Sequence, residues 1–268
     1  MAEFIIEKRV VISPDPAALA ESVAARFIQR LLKSAAKGAA EDRPVHVSLT
    51  GGTMGSAVLA AAARHPHRDR IDWSHVHFWW SDERFVTAAD ADRNERQARE
   101  ALLDALVTVG TLPAENVHAM AATDAGIDLE AAADRYAREL AGFPQRDGTA
   151  WPSFDICFLG VGPDGHIASL FPDRPEILLT DRVATGVRDS PKPPPDRVTL
   201  TRPVINGSKR VWLVLAGADK ASALGLALAG ASYASVPVAG AKGRKRTVFF
   251  VDQAAASQVP PELIDQEY

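Results

Sequence analysis

The sequence predicts a single α/β domain built on a mainly parallel, doubly wound (Rossmann-like) sheet with helices on both faces. Short apolar runs such as VHVSL (45–49) and RVWLVLAG (210–217) alternate with segments of helical pattern. Strands that alternate with helices are joined by right-handed crossovers into a parallel sheet. No linker interrupts the alternation, because the Pro-rich stretch SPKPPPD (190–196) is too short for an interdomain hinge. Residues 1–268 are therefore expected to form one domain.

The first half of the chain predicts three strands, each followed by a helix. The SPDP cluster (13–16) ends the first strand and starts the first helix. The apolar side of the third helix is formed by Leu102, Leu103 and Leu106. In chain order these elements cover 4–12 (one or two short strands), 17–36, 45–49, the alanine-rich stretch ending at Ala63, 76–80 and 92–106.

The second half is richer in strands than in helices. Helices are predicted over 129–141 and over DKASALGLALAG (219–230), and the segment HIASLF (166–171) is helix-like. The predicted strands are a short one near Val117 and longer ones over 154–160, 182–187, 197–201, 210–217 and 247–251.

Composition excludes several classes of protein. The chain has 268 residues, of which 47% are apolar and 24% charged, as is ordinary for a soluble globular protein. A net charge of −4 gives no reason to expect nucleic acid or an anionic membrane as a partner. No apolar run approaches the roughly 18 residues that span a bilayer, and the N-terminus lacks a signal-peptide layout, so a cytoplasmic protein is expected. The single cysteine, Cys157, lies in an apolar strand and is expected to be a buried, inert thiol.

A glycine-rich turn after strand 154–160 carries Asp164 and His166. A carboxylate near a histidine can orient the imidazole and stabilise its charged form, which is a general-base arrangement. The alternative is that these two residues only cap the following helix. The turn also matches G-x-G-x-x-G, but Pro163 and Asp164 occupy it and the carboxylate would repel a pyrophosphate, so a dinucleotide site is rejected.

A second glycine turn follows the strand 45–49. It contains Gly51, Gly52 and Thr53 and leads into a helix. Backbone N–H groups at such a helix N-terminus favour an anion. An ordinary strand-to-helix turn with a threonine cap is the alternative.

Charged residues are predicted at the same edge of the sheet. Asp82, Glu83 and Arg84 directly follow the strand 76–80, where either a site or a local ion pair would fit. Lys220 begins a helix, a position that the helix dipole disfavours unless an anion pairs with the lysine, although a solvated surface lysine is equally compatible. Three more cations surround the Pro-rich loop: Arg188, Lys192 and Arg197.

The order of the motifs TGGT, WSDER, GVGPDGHIASLFP, SPKPPPDRVTLT and GADK resembles that of the 6-phosphogluconolactonases over about residues 10–252. The resemblance implies hydrolysis of 6-phospho-D-glucono-1,5-lactone to 6-phosphogluconate in the oxidative pentose phosphate pathway. It also implies that His166 activates water, that Asp164 orients His166 and that turn amides or Arg84 stabilise the oxyanion. Under the same resemblance the phosphate is held by Gly51, Gly52, Thr53, Lys220 and either Arg188 or Arg197, and Asp82 belongs to the substrate-binding residues.

The resemblance also implies what the chain works with. No cofactor and no metal are expected, since a lactone is an activated ester and no cluster of His, Cys or carboxylates has metal-ligand spacing. The expected partner is a small phosphorylated sugar lactone, with no nucleic acid and no membrane. The chain is expected to be a monomer or a small homo-oligomer.

One position separates the lactonases from the similar glucosamine-6-phosphate deaminases. The deaminases carry a catalytic glutamate just before the proline of the GVGxDGH block, and this chain has Phe171 there. They also read Asp-Glu-Tyr where this chain has Asp82-Glu83-Arg84. Two alternatives stay open: a deaminase or isomerase-type enzyme, and a non-catalytic sugar-phosphate sensor. Such sensors usually carry an added DNA-binding segment, for which the N-terminus leaves too few residues before the first strand.

Overall fold

Among the residues that the structure describes, the main sheet has six strands, all parallel, where the sequence predicts a mainly parallel sheet. A computed structural model of the protein describes residues 8–145, 147–260 and 264. Each neighbouring pair of strands runs in the same direction, and helices pack around the sheet, so the predicted α/β fold class is confirmed. In spatial order the strands are β1 (Lys8–Ser13), β9 (Arg246–Asp252), β8 (Arg210–Leu215), β5 (Ile156–Gly160), β2 (Val45–Leu49) and β3 (Val76–Trp80). The part of the first predicted strand before Lys8 lies outside the described residues.

A second, smaller sheet was not predicted. It consists of β4 (Asp82–Arg84), β7 (Arg197–Leu200) and β6 (Ala184–Val187), and both of its strand pairs are antiparallel. The physical reason is the connection between β6 and β7. It is a proline-rich loop with no helix, and a parallel pair would need a crossover of a dozen or more residues.

The helices begin and end close to their predicted bounds, with two differences. The first helix continues to Ala40, beyond its predicted end. The predicted helix over 92–106 is a continuous segment in which a π-helical stretch, Arg99–Leu103, separates two α-helices. The α-helices are α1 (Pro16–Ala40), α2 (Gly52–Arg64), α3 (Asn94–Ala98), α4 (Asp104–Thr108), α5 (Leu129–Ala141), α6 (Arg202–Asn206) and α7 (Ala221–Leu228).

The predicted helix HIASLF (166–171) is wrong. Ile167 instead forms isolated antiparallel bridges to Val161 and Leu170, and the carbonyl of His166 accepts a hydrogen bond from the N–H of Gly162 at 2.9 Å. Ala168 has a φ of 49°, in the left-handed region that a helix cannot continue through. The segment is therefore a compact double turn, and Asp164 does not cap a helix.

The strands of the main sheet form the core. All five residues of β2 are buried, as expected for a central strand of a parallel sheet. Cys157 in β5 is fully buried, and burial raises the pKa of its thiol to about 12, which agrees with the predicted inert thiol. Among the described residues no helix is long and apolar enough to cross a membrane.

Three histidines meet near the amino ends of β2 and β3. His77 Nδ1 lies 2.9 Å from His118 Nε2, and His118 Nδ1 lies 2.7 Å from a carboxylate oxygen of Glu139. The indole N–H of Trp79 donates to His46 Nδ1 at 3.1 Å. Burial lowers the pKa of His46 well below its usual range, and burial with the neighbouring charges of His118 and His75 lowers the pKa of His77 to about 4.

This histidine cluster makes stability depend on pH. The folded state keeps His46 and His77 neutral, whereas the unfolded chain binds protons below about pH 6.5. The contribution of the two residues is therefore complete above that pH and is lost as the pH falls toward 4. We expect the free energy of unfolding in urea to fall less steeply between pH 7 and 4.5 in His77→Gln than in the wild type. The exposed His67 is the matched control, because His67→Gln should keep the wild-type slope; identical slopes in all three proteins would contradict the prediction.

Candidate active site

A cavity of about 450 Å³ opens at the carboxyl ends of β2, β5 and β8, the edge where open α/β sheets bind ligands. The main sheet contributes backbone turns to it. The second sheet contributes Asp82 and Arg84 from β4 and Arg197 from β7. Of the residues singled out in the sequence, the cavity is lined by Gly51, Gly52, Thr53, Asp82, Arg84, His166, Lys192, Arg197 and Lys220.

Asp164 and His166 form a hydrogen-bonded pair beside this cavity. His166 Nδ1 lies 2.6 Å from Asp164 Oδ1, and the His166 side chain is 15% exposed. Burial alone would raise the pKa of Asp164, but the hydrogen bond from His166 and the charges of His166 and Lys192 lower it to about 2. Asp164 is therefore a carboxylate at neutral pH and holds His166 through its Nδ1–H.

Two neighbours leave the imidazole little freedom to move. A Cβ atom on Gly162 would lie 2.0 Å from His166 Nδ1 and 2.4 Å from Asp164 Oδ1, so only glycine fits under the pair. On the other side the ring of Phe171, which is 1% exposed, packs with its centre 4.6 Å from that of His166. Phe171 thus packs against the His166 ring from the core.

The glycine turn after β2 begins α2. Gly51 is the N-cap residue, and Gly52 has a φ of 79°, a conformation that side chains rarely adopt. The N–H of Gly52 donates to the side-chain oxygen of Gln97 at 3.2 Å. The turn therefore forms the N-terminus of α2, where the N–H of Gly52 is already bonded to Gln97, and anion binding there stays a prediction.

Asp82 is the buried acid of the site. Its Oδ2 accepts a hydrogen bond from Ser169 Oγ at 2.7 Å and lies 4.0 Å from Arg197 Nη1. Its backbone carbonyl accepts from Asn94 Nδ2 at 2.9 Å. The carboxylate is thus held from two sides at the wall of the cavity.

Glu83 does not line the cavity. Its carboxylate accepts backbone N–H groups of Arg84 at 2.8 Å, Asn94 at 2.7 Å and Glu95 at 2.8 Å. Burial raises the pKa of Glu83 to about 7, against the lowering effect of Arg93 and of these three donors. Of the three charges in the SDER motif, Glu83 joins β4 to α3, while Asp82 and Arg84 face the cavity.

The cations divide into two groups. Lys220 lines the cavity and forms an ion pair with Asp219 at 2.9 Å, and Lys192 Nζ lies 3.9 Å from Asp164 Oδ1. Arg188 is not at the cavity, contrary to the prediction. Its side chain is 55% exposed and bonds Glu130 on α5. The reason lies in the tertiary fold: Arg188 directly follows β6, which packs against α5, and Glu130 in the first turn of α5 bonds its guanidinium.

Sequence reasoning missed Asn94 and Ser169. Asn94 is 2% exposed and lines the cavity, and Ser169 bonds Asp82 from the double turn that was predicted as a helix. Neither belongs to a local pattern, because each meets Asp82 only through the tertiary fold. Lys192 had a signal, its place in the Pro-rich loop, but nothing there distinguished it from Arg188.

No metal site accompanies this arrangement in the part of the chain that the structure describes, where no three His, Cys, Asp or Glu side chains are grouped to hold an ion. The chemistry that the described side chains offer is a carboxylate-oriented imidazole, several cations and a glycine turn. Such a set can activate water against a carbonyl and bind an anionic group.

Comparison with known proteins agrees with the geometry. The family model of glucosamine-6-phosphate isomerases/6-phosphogluconolactonase matches residues 14–250. The 6-phosphogluconolactonase of Streptomyces coelicolor is 48% identical over 95% of this chain and 96% of its own length. That of Mycobacterium tuberculosis is 45% identical over 80% of this chain and 85% of its own.

Solved structures share the fold. The 6-phosphogluconolactonase of Trypanosoma brucei superposes with a TM-score of 0.79 at 26% identity, over 95% of this chain and all of the other. A monomeric glucosamine-6-phosphate deaminase reaches a TM-score of 0.73 at 17% identity, over 93% of this chain and 99% of its own, a likeness in fold alone.

The glycine turn gives a test of the packing at the cavity. A Cβ atom on Gly51 would lie 1.7 Å from Asn94 Oδ1. Because Asn94 is buried, its side chain has no room to move aside. We expect Gly51→Ala to lower the free energy of unfolding in urea by about 1–3 kcal/mol. Gly225→Ala in α7 is the control, because its Cβ atom would meet its nearest neighbour at 3.6 Å and alanine favours a helix. Equal effects of the two substitutions would show that the contact with Asn94 is not tight.

Proposed function

Because the chain belongs to the family of glucosamine-6-phosphate isomerases and 6-phosphogluconolactonases, we propose that its cavity hydrolyses 6-phospho-D-glucono-1,5-lactone to 6-phosphogluconate in the oxidative pentose phosphate pathway. Relatives that match nearly the whole chain carry the lactonase name. The observation that carries the mechanism is the 2.6 Å hydrogen bond between Asp164 and His166 at the cavity.

The pair works as a general base and then as a general acid. Asp164 accepts the Nδ1–H of His166, so Nε2 is the nitrogen that takes a proton from water as the oxygen of that water attacks C1 of the lactone. The resulting imidazolium is stabilised by the Asp164 carboxylate. When the tetrahedral intermediate collapses, the bond from C1 to the ring oxygen breaks and the imidazolium returns its proton to that oxygen. The products are a carboxylic acid, which ionises, and a free hydroxyl.

Arg84 is the proposed oxyanion partner. It lines the cavity, and its Nη1 donates to the carbonyl of Asp92 at 2.7 Å, which fixes the direction of the guanidinium. A cation held in place before the reaction stabilises negative charge that develops on the carbonyl oxygen.

The other end of the substrate is assigned to the turn after β2 and to Lys220. Backbone N–H groups at the start of α2 and a lysine after β8 line the same cavity and suit a phosphate. Asp82 is suited to accept a hydrogen bond from a sugar hydroxyl, since Ser169 holds its carboxylate in place at the cavity wall.

A deaminase would need a proton-handling carboxylate at position 171. This chain has Phe171 there, and its ring covers His166. Release of ammonia from glucosamine 6-phosphate would support that alternative, and tight binding of a sugar phosphate without turnover would support a sensor.

Removal of the base is the first test of the mechanism. With freshly generated 6-phosphogluconolactone, His166→Ala should lower kcat by about 10²–10⁴-fold, because general-base catalysis contributes that much. His67→Ala removes an exposed histidine elsewhere on the surface and should keep full activity. Turnover by the folded His166→Ala protein at the wild-type rate would refute the assignment of the base.

A second test compares Lys220 and Arg188, both of which the sequence analysis assigned to the phosphate. Lys220→Met should raise KM about tenfold or more, because a charge-assisted hydrogen bond to phosphate is lost. Arg188→Met should leave KM within about twofold, since its guanidinium is occupied by Glu130 outside the cavity. The opposite ranking would place the phosphate on the Arg188 side.

A further inference from the structure

Arg197 was expected to bind phosphate, but its contacts fit a different role. We propose that Arg197 is a positioning residue, which holds Lys192 beside the Asp164–His166 pair and does not bind the substrate. This role of Arg197 rests on the proposed function, in which the Asp164–His166 pair is the general base.

The guanidinium of Arg197 is already used by the loop that carries Lys192. Nη2 donates to the carbonyls of Lys192 at 3.1 Å and Pro193 at 3.0 Å, and Nε donates to the carbonyl of Pro194 at 3.2 Å. Three consecutive carbonyls are thus bound by one planar fork. An ammonium group cannot reproduce that geometry, because its donors radiate from a single atom.

The rest of the guanidinium lies between Asp82 and Phe171 at the wall of the cavity. Nη1 lies 4.0 Å from Asp82 Oδ2, and Cζ lies 5.8 Å from the ring centre of Phe171. The side chain is 5% exposed. A phosphate would have to displace a loop carbonyl or Asp82 to obtain a two-pronged contact with this arginine.

The anchored loop places a positive charge at the catalytic pair. Lys192 Nζ lies 3.9 Å from Asp164 Oδ1, the oxygen that also faces His166 Nδ1. The charge of Lys192 also contributes to the lowered pKa of Asp219, whose main cause is the hydrogen bond with Lys220. A cation there keeps Asp164 ionised and opposes protonation of the imidazole in the resting enzyme. If the loop is released, this opposition weakens.

The test compares Arg197→Lys, Lys192→Met and the double variant. Arg197→Lys keeps a positive charge beside Asp82, which preserves the buried ion pair while removing the fork. The readout is the titration of the His166 ring followed by NMR without substrate, so it does not depend on turnover. Both single variants should move its midpoint to higher pH by the same amount, because the same positive charge leaves the pair, and the double variant should move it no further.

A second measurement, the inhibition by inorganic phosphate, tests whether Arg197 binds phosphate directly. The competitive inhibition constant of inorganic phosphate should stay within about twofold in Arg197→Lys and rise about tenfold in the Lys220→Met control. Ser190→Ala removes the other hydrogen bond to the Lys192 carbonyl and should shift the His166 titration in the same direction. This variant keeps the test available if Arg197→Lys does not fold.

Three results would overturn the role of Arg197: an unshifted titration in both loop variants, additive shifts in the double variant, or a loss of phosphate inhibition in Arg197→Lys equal to that in Lys220→Met. An absence of lactone hydrolysis by the wild type would instead refute the proposed function and leave the NMR comparison decisive for Arg197.

Discussion

The site depends on one hydrogen bond, between the imidazole of His166 and the carboxylate of Asp164 at the end of β5. The two residues are separated only by Gly165. Its φ of 83° turns the backbone sharply between them. Gly162 leaves the space in which the pair lies, and Phe171 covers the ring. The sequence around β5 is therefore constrained on every side by a single contact.

The two sheets divide the work. The parallel sheet ends in glycine turns and helix starts, which offer backbone N–H groups, whereas the antiparallel sheet carries Asp82, Arg84 and Arg197 to the opposite wall of the cavity. Asn94 and Ser169 join the two walls through Asp82. In the proposed function, the N–H groups of the first wall bind the phosphate and the polar side chains of the second bind the hydroxyl groups of the sugar lactone.

Local pattern predicted much of the fold and of the site. The strands β2 and β3 and the helix α5 have the bounds that their periodicity indicates, and the Asp164–His166 pair follows from a glycine turn after an apolar strand. Periodicity failed in HIASLF, whose backbone bonds to nearby Gly162 and, through the N–H of Ser169, to Thr199 on β7 instead of forming a helix. Arg188 shows the same limit, because its ion pair with Glu130 on α5 depends on the tertiary fold.

The central claim is that Asp164 holds His166 in the tautomer whose Nε2 accepts a proton from water. Nitrogen-15 NMR of the histidine ring in the wild type, at a pH where the ring is neutral, measures that tautomer directly. We expect a protonated Nδ1 and an unprotonated Nε2 in the wild type, with loss of this preference in Asp164→Asn. A wild-type ring protonated at Nε2 would contradict this role of His166, since that nitrogen could not then serve as the base.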